Sequence, residues 1–280
     1  MGKIANMNWP QHAELVEKLL PAVLEAGRVE MGYYAGPIDV EHKADKSPVT
    51  AADKEAEAIL LEALARAAPG IPVIAEESAA AGQLPETGEA FFLVDPLDGT
   101  KEFIAKRGEF TVNVALVVNG RPQFGIVYAP AISDLYMTVG PQKAVEGRFA
   151  PDCSLTGLQT SGLRTLRVRS PGADGLVAIE SRSHGSKAVP PFIQRLNIKE
   201  TKRAGSSLKF CLIARGDADI YARLGETCEW DTAAGHAVLA AAGGRVVTLD
   251  GKDLVYGKRE RKFVNPHFVA YGANQLISFE

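Results

Sequence analysis

The sequence predicts an α+β first half, with helices laid on an antiparallel sheet, followed by an α/β second half. Three observations carry this reading. Apolar residues near the N-terminus recur at helical spacing. Residues 71–145 break into short apolar runs separated by turn signals, as consecutive strands do. From about residue 161, strand-like and helix-like segments alternate.

Leu15, Leu19, Leu20, Val23 and Leu24 mark a helix over residues 11–34. Pro21 within it lacks an N–H and should kink or restart it. Thr50, with Asp53 three residues later, opens a second helix with a capping-box spacing, running through Leu60, Leu61 and Leu64 towards Pro69-Gly70. Residues 71–75 read as a short strand ending at Glu76, and residues 91–94 as a second ending at Asp95. Residues 111–118 and 125–128 are strand-like, with Asn119-Gly120 as the hairpin signal between them. Residues 135–139 and 143–145, joined through Gly140-Pro141, continue the sheet. The polar, Gly-rich stretch 151–164 divides the chain into two expected subdomains, 1–160 and 161–280. Beyond it, strands are expected at 166–168, 177–180, 219–222 and 245–249, and helices at 191–196, 207–214 and 232–242.

The 280 residues, 46% hydrophobic and 23% charged, have an ordinary globular composition and enough length for a sizeable core. A net charge of -3 argues against non-specific nucleic-acid binding as the main role, since that requires a basic surface. Cys153, Cys211 and Cys228 are odd in number and show no C-x-x-C spacing, so neither a disulfide framework nor a zinc site is expected. No apolar run approaches the roughly 20 residues of a membrane span, and the N-terminus has no signal-peptide core. The expectation is a soluble, cytoplasmic protein; loose peripheral attachment to a membrane stays open.

Four carboxylates, Glu76, Asp95, Asp98 and Asp231, stand in short, unusual strings: Glu76-Glu77-Ser78, Asp95-Pro96-Leu97-Asp98-Gly99-Thr100 and Glu229-Trp230-Asp231. Brought together, such acids repel and raise one another's pKa. Folds tolerate this where hard divalent cations sit among the oxygens, as at phosphate-handling sites. Asp95 emerges where a strand ends, Pro96 stiffens the turn, and Asp98 can point to the same side. Gly99-Thr100 allows close backbone approach and opens a helix, whose N–H groups suit a phosphate. Each string also has a plainer reading. Asp-rich turns are mostly turns and caps, Glu76-Glu77-Ser78 alone would be solvated loop, and Asp231 could be only an N-cap. Asp53 could serve its capping box alone, and Trp230 could be packing. His12, His42, His236 and His267 receive no role.

Together these strings resemble the lithium-sensitive, magnesium-dependent superfamily of inositol monophosphatase and fructose-1,6-bisphosphatase. The resemblance covers nearly the whole chain, through Pro48-Val49-Thr50-Ala51-Ala52-Asp53, Ala75-Glu76-Glu77-Ser78, Asp95 to Thr100, and Trp230-Asp231-Thr232-Ala233-Ala234-Gly235. It implies a layered α-β-α-β-α sandwich with metals where its halves meet. Asp98-Gly99-Thr100-Lys101-Glu102-Phe103, Ser181-Arg182-Ser183-His184 and Gly205-Ser206-Ser207-Leu208-Lys209-Phe210-Cys211 are similar to the 3'(2'),5'-bisphosphate nucleotidase branch, the CysQ type linked to sulfur assimilation. That branch acts on adenosine 3',5'-bisphosphate and often on 3'-phosphoadenosine 5'-phosphosulfate.

Carried over residue by residue, the resemblance implies two to three Mg²⁺ ions. Glu76, Asp95 and the Leu97 carbonyl match ligands of one, and Asp95, Asp98 and Asp231 match ligands of another. Thr100, paired with Asp53, would orient the attacking water and take its proton, while Gly99 and Thr100 N–H groups hold the phosphoryl oxygens. Glu76, Asp98 and Asp231 also border the substrate. His184 would sit near the adenosine, Ser206 and Lys209 near the sugar or 5'-phosphate, and Arg223 nearby. A separate clue is charge: residues 182, 187, 195, 199, 202, 203 and 209 are basic, with Glu200 the one acid among them, which suits a second phosphate or else a solvated face. Two rivals remain: an inositol or sugar-phosphate phosphatase on the same scaffold, and a non-catalytic phosphate-binding protein, against which the Thr100–Asp53 pair counts. The resemblance also allows a homodimer.

Overall fold

A computed structural model describes residues 9–43, 47–153, 162–182 and 191–272. The chain opens with helix α1 (Trp9–Ala35), a small hairpin of β1 (Glu41–His42) and β2 (Pro48–Val49), and helix α2 (Ala51–Ala67). Thr50 is the N-cap of α2, and the Thr50–Asp53 capping box forms as the spacing predicts. Helix α1 continues through Pro21 rather than restarting there. Its apolar stripe, Leu15 to Leu24, packs with Leu60 and Leu64 of α2, and that burial outweighs one lost backbone bond.

Strand β3 (Val73–Ala75), short helix α3 (Glu76–Ala80), β4 (Ala90–Asp98) and short helix α4 (Thr100–Ile104) follow. Then come β5 (Thr111–Val118), β6 (Arg121–Ala129), β7 (Asp134–Gly140), β8 (Lys143–Arg148) and β9 (Arg164–Thr165). These form one sheet in the order β3-β4-β5-β6-β7-β8-β9, antiparallel except for the β3–β4 pair. Asn119 and Gly120, at φ 50° and 72°, make the two-residue turn between β5 and β6 that their sequence signals.

The rest of the chain supplies β10 (Leu176–Ser181), α5 (Pro191–Gln194), β11 (Ile198–Ala204), α6 (Leu208–Ala214), β12 (Ile220–Arg223), α7 (Ala233–Ala241), β13 (Arg245–Thr248) and β14 (Phe268–Tyr271). Its five-stranded sheet runs β11-β10-β12-β14-β13, parallel through β12 and antiparallel beyond. Residues 166–168 form no strand; Leu166 and Val168 each donate a single backbone bond, to the Ala144 and Ala242 carbonyls. Strands β11 and β14 went unread, the first because Ile198-Lys199-Glu200-Thr201-Lys202-Arg203-Ala204 lacks apolar alternation on this sheet edge. β14 is a four-residue apolar run, too short for periodicity to decide.

Alternation along β4 shows how the layers stack. Phe92 and Val94 pack with α1 and α2, whereas Phe91 and Leu93 pack with residues of α6, α7 and the second sheet. On the outer face of the second sheet, Ile220, Val247 and Val269 meet Ile193 and Leu196 beside α5. The order is therefore α-β-α-β-α. Helix α7, Ala233-Ala234-Gly235-His236-Ala237-Val238-Leu239-Ala240-Ala241, is apolar almost all round because sheets cover both its sides. It lies so close to β6 that a Cβ on Gly125 would come within 2.5 Å of the Ala234 carbonyl.

Candidate active site

The key local distortion is in β4. Asp95 pairs with Asn113 and Asp98 with Thr111, so three steps on β4 face two on β5. In a regular strand, residues three apart point to opposite faces. The extra residue is a β-bulge, and it turns Asp98 to the side Asp95 faces. There the Ser206 hydroxyl, just before α6, donates to Asp98 Oδ2 at 2.7 Å. Pro96 and Leu97 therefore belong to a bulged strand rather than to a turn after it.

Carboxylate oxygens of Glu76, Asp95 and Asp231 lie within 4.8 Å of one another. Glu76 is the first residue of α3, directly after β3. Asp231 precedes Thr232, the N-cap of α7, so it is not itself the cap. Instead it accepts bonds from the Thr227 hydroxyl at 2.6 Å and the Cys228 N–H at 2.8 Å. Asp98 stands outside the tight trio, close enough that its charge and that of Asp231 act on each other. Burial pushes Glu76 up to about 7 against the opposing charge of Lys43, and burial first, with a neighbouring carboxylate second, pushes Asp98 and Asp231 to about 6 and Asp95 well above the ordinary carboxylate value.

Asp53 is buried behind this cluster. Its Oδ2 accepts the Thr50 N–H at 2.7 Å and hydroxyl at 2.6 Å, which leaves Oδ1 for the Thr100 hydroxyl at 3.2 Å. The expected Thr100–Asp53 contact is thus formed. Burial raises the Asp53 pKa, opposed by its bonds from Thr50. Gly99, at φ 96°, caps α4; a Cβ there would sit 3.1 Å from the Glu109 carbonyl, so only glycine makes this turn without strain.

A cavity of about 870 Å³ collects the site. Glu76, Asp95, Leu97, Asp98, Gly99, Thr100, Ser206, Lys209, Arg223 and Asp231 all line it. Lys209 is buried, donates to the Ser206 carbonyl, and is pushed down to about 8 by burial. Arg223 donates to the Gly225 carbonyl at 3.3 Å and to the Glu226 carbonyl. His184 lies outside the described residues, as does position 187. The basic stretch does not converge on the cavity. Arg182 grips Glu109 through two bonds, Lys199 pairs with Asp174, Arg203 with Glu180, and Lys202 caps the Asp217 carbonyl. Among the described residues, Lys209 is the member that lines the cavity. Lys199, Lys202 and Arg203 lie on β11, the edge strand of the second sheet, and Arg182, Lys199 and Arg203 are paired with acids instead of with the cavity.

Other site residues escaped the sequence reading. Lys43 bridges Glu76 and Glu77 at 2.6 Å each, and its pKa is raised by those carboxylates against the opposing effect of burial. Nothing in the sequence marks that lysine. Thr111, Asn113 and Ser207 form a buried hydroxyl and amide network behind Ser206 and Asp98. Glu57 did leave a signal: with Asp53 it is an acid on the buried stripe of α2 formed by Ala52, Ala56, Leu60 and Leu64.

The donors are all oxygen and mostly anionic, the set a hard divalent cation takes, and a lysine ammonium already stands against Glu76. These residues fit such an ion. Among the described residues no helix is long and apolar enough to cross a membrane.

Comparisons with known proteins agree with this geometry. Residues 12–276 match the profile of the inositol monophosphatase family. The chain is 43% identical over 257 residues to the 3'(2'),5'-bisphosphate nucleotidase CysQ of Shigella flexneri, covering 91% of this chain and 98% of that one. It is 41% identical, with the same coverage, to the CysQ of Escherichia coli K12. Among solved structures, CysQ from Bacteroides thetaiotaomicron superposes with a TM-score of 0.77 at 32% identity over 93% of this chain and 97% of that one.

Proposed function

The chain belongs to the inositol monophosphatase family, and we propose that within it this protein is a Mg²⁺-dependent 3'(2'),5'-bisphosphate nucleotidase. It removes the 3'-phosphate of adenosine 3',5'-bisphosphate, giving AMP and phosphate, and treats 3'-phosphoadenosine 5'-phosphosulfate in the same way. The observation that carries this reading is the convergence of Glu76, Asp95, Asp98 and Asp231 beside the Thr100–Asp53 contact in one cavity that also holds Lys209 and Arg223. The identity to curated nucleotidases of that name over nine-tenths of the chain supports the substrate class.

Glu76, Asp95, Asp98, Asp231 and the Leu97 carbonyl would hold two to three Mg²⁺ ions. When bound, such ions acidify water and neutralise charge on phosphoryl and leaving oxygens. The protein's own residues do the rest. Thr100 donates its hydroxyl proton towards Asp53 Oδ1, so its oxygen lone pair faces the water and accepts a proton from it. As the water oxygen bonds to phosphorus and the bond from phosphorus to the ribose 3'-oxygen breaks, the water proton passes to Thr100 Oγ, the Thr100 proton passes to Asp53, and the leaving 3'-oxygen takes a proton from solvent. Burial makes Asp53 a stronger base for that transfer than an ordinary carboxylate. Backbone N–H groups at Gly99 and Thr100 hold phosphoryl oxygens. Lys209 and Arg223 place positive charge where a second phosphate of the nucleotide needs it.

The test is phosphate release in Mg²⁺ with adenosine 3',5'-bisphosphate and inositol 1-phosphate side by side. The nucleotide should be strongly preferred, and Asp98→Asn should abolish release from it. Preference for inositol 1-phosphate would overturn the substrate; near wild-type release by Asp98→Asn would overturn the metal assignment.

A further inference from the structure

We propose that Glu57 and Glu229 are positioning residues that lock two of the metal carboxylates, Glu76 and Asp231, in place before any cation arrives. The inference rests on the metal assignment above and adds two side chains that line no part of the cavity. Glu57 sits on α2 one turn after Asp53 and is buried. Its Oε2 accepts the Glu77 N–H at 2.8 Å, and its Oε1 accepts the Ser78 N–H at 2.8 Å and the Ser78 hydroxyl at 2.5 Å. Those N–H groups belong to the first turn of α3, whose first residue is Glu76. A five-residue helix is far below the length that holds itself together, and its leading N–H groups have no partner within it. Glu57 supplies both needs and so fixes the direction in which Glu76 leaves the backbone.

Glu229 repeats the device on the other side of the site. It is fully buried and accepts the Gly257 N–H at 2.7 Å and the Lys258 N–H at 2.9 Å, with the Lys258 ammonium at 2.7 Å. Its own N–H donates to the Phe263 carbonyl at 2.8 Å. The segment it anchors passes through Lys262 and Phe263, two consecutive non-glycine residues at φ 52° and 59°, and forms a wall of the cavity. Strained backbone of that kind persists only where its surroundings over-determine it. Asp231, two residues after Glu229, is held between this anchor and its bonds from Thr227 and Cys228.

Both positions call for a carboxylate. Each oxygen of a carboxylate accepts, so two diverging N–H groups are met at once. A glutamine of the same shape would turn its NH₂ against one of them. Charge-assisted bonds are also stronger than neutral ones, which suits a scaffold that must hold Glu76 and Asp231 against mutual repulsion.

The experiment compares the full-length protein with Glu57→Gln and Glu229→Gln. It measures Mn²⁺ binding by titration calorimetry, metal-free melting, and kcat across Mg²⁺ concentration. Each variant should bind Mn²⁺ about 10- to 100-fold more weakly, the effect of losing a residue that orients a ligand. Half-saturating Mg²⁺ should rise in proportion, while kcat at saturating Mg²⁺ returns to within about threefold of wild type. A purely structural role would lower the melting temperature and leave Mn²⁺ affinity within about twofold, and that result overturns the inference. Should either variant fail to fold, Ser78→Ala and Lys258→Met each take one partner from these glutamates and should weaken Mn²⁺ binding about two- to fivefold; unchanged affinity in both overturns it equally. Wild type that binds no Mn²⁺ would instead sink the metal assignment itself.

Discussion

Replacing Glu30 by methionine should stabilise the protein, and by more as the pH rises. Glu30 lies on α1 with no exposed surface, and neither carboxyl oxygen has a hydrogen-bond partner among the described residues. Burial, with the charge of Asp53 second, pushes its pKa well above the usual value of 4.5. Above pH 4.5 the folded protein therefore keeps a proton that the unfolded chain releases. Stability from this group is fully present below about pH 4.5 and is lost as pH rises towards the folded pKa. Within that window each pH unit costs about 1.4 kcal/mol. An unbonded buried polar group costs about 1–3 kcal/mol besides. Methionine keeps the length and removes both penalties. With about 2.1 cal/mol/K of unfolding entropy per residue, a 280-residue chain gives about 0.6 kcal/mol/K, so each kcal/mol is worth about 2 °C in Tm. Glu30→Met should therefore melt about 2–5 °C higher near pH 5, and the gap should widen between pH 5 and pH 8, at about 2 °C per pH unit below the folded pKa. Scanning fluorimetry of both proteins across that range, without metal, reads the gap directly. A gap that does not change with pH, or a variant that melts lower throughout, refutes the reasoning.

On the proposed proton path, Thr100→Ala should lower kcat about 100-fold and leave KM within about threefold; steady-state kinetics with an unchanged kcat would contradict that path. Lys209 loses its charge as pH passes about 8, so kcat/KM for adenosine 3',5'-bisphosphate should fall above that pH. Lys209→Met should be poor and flat across the same range, and a wild-type-like fall in the variant would assign the titration elsewhere. Gly125→Ala should cost about 1–3 kcal/mol by driving a methyl group against the α7 backbone. Urea unfolding checks this against Gly225→Ala, where a Cβ meets nothing within 4 Å and stability should be unaltered.

Much of this was readable before any coordinates. The hairpin at Asn119-Gly120, the capping box at Thr50 and Asp53, and the place of Glu76 directly after β3 declare themselves through local chemistry, whereas Asp95 lies inside β4, which runs on to Asp98. What could not be read depends on which distant segments meet. Lys43 is an unremarkable lysine until β1 and β2 bring it to Glu76. The basic stretch read equally as a phosphate site or a solvated face because sequence shows its sign and number, but not that Asp174 and Glu180 pair with Lys199 and Arg203 of β11. The Asp95–Asp98 spacing announced a site without revealing its device, because a bulge is defined by the partner strand. Pro21 misled because an isolated-helix rule ignores the packing that keeps α1 whole.

The β4 bulge also makes the chemistry a matter of parity. Which layer a strand residue enters depends on whether its position is odd or even, and the added residue switches that parity once, between Asp95 and Asp98. Smoothing the bulge away at unchanged length, so that Leu97 stood opposite Thr111 in place of Asp98, would leave the ladder with β5 paired and send Asp98 into the layer occupied by α1 and α2. A one-residue slip there would leave a sheet that still pairs and a protein that no longer gathers its four acids.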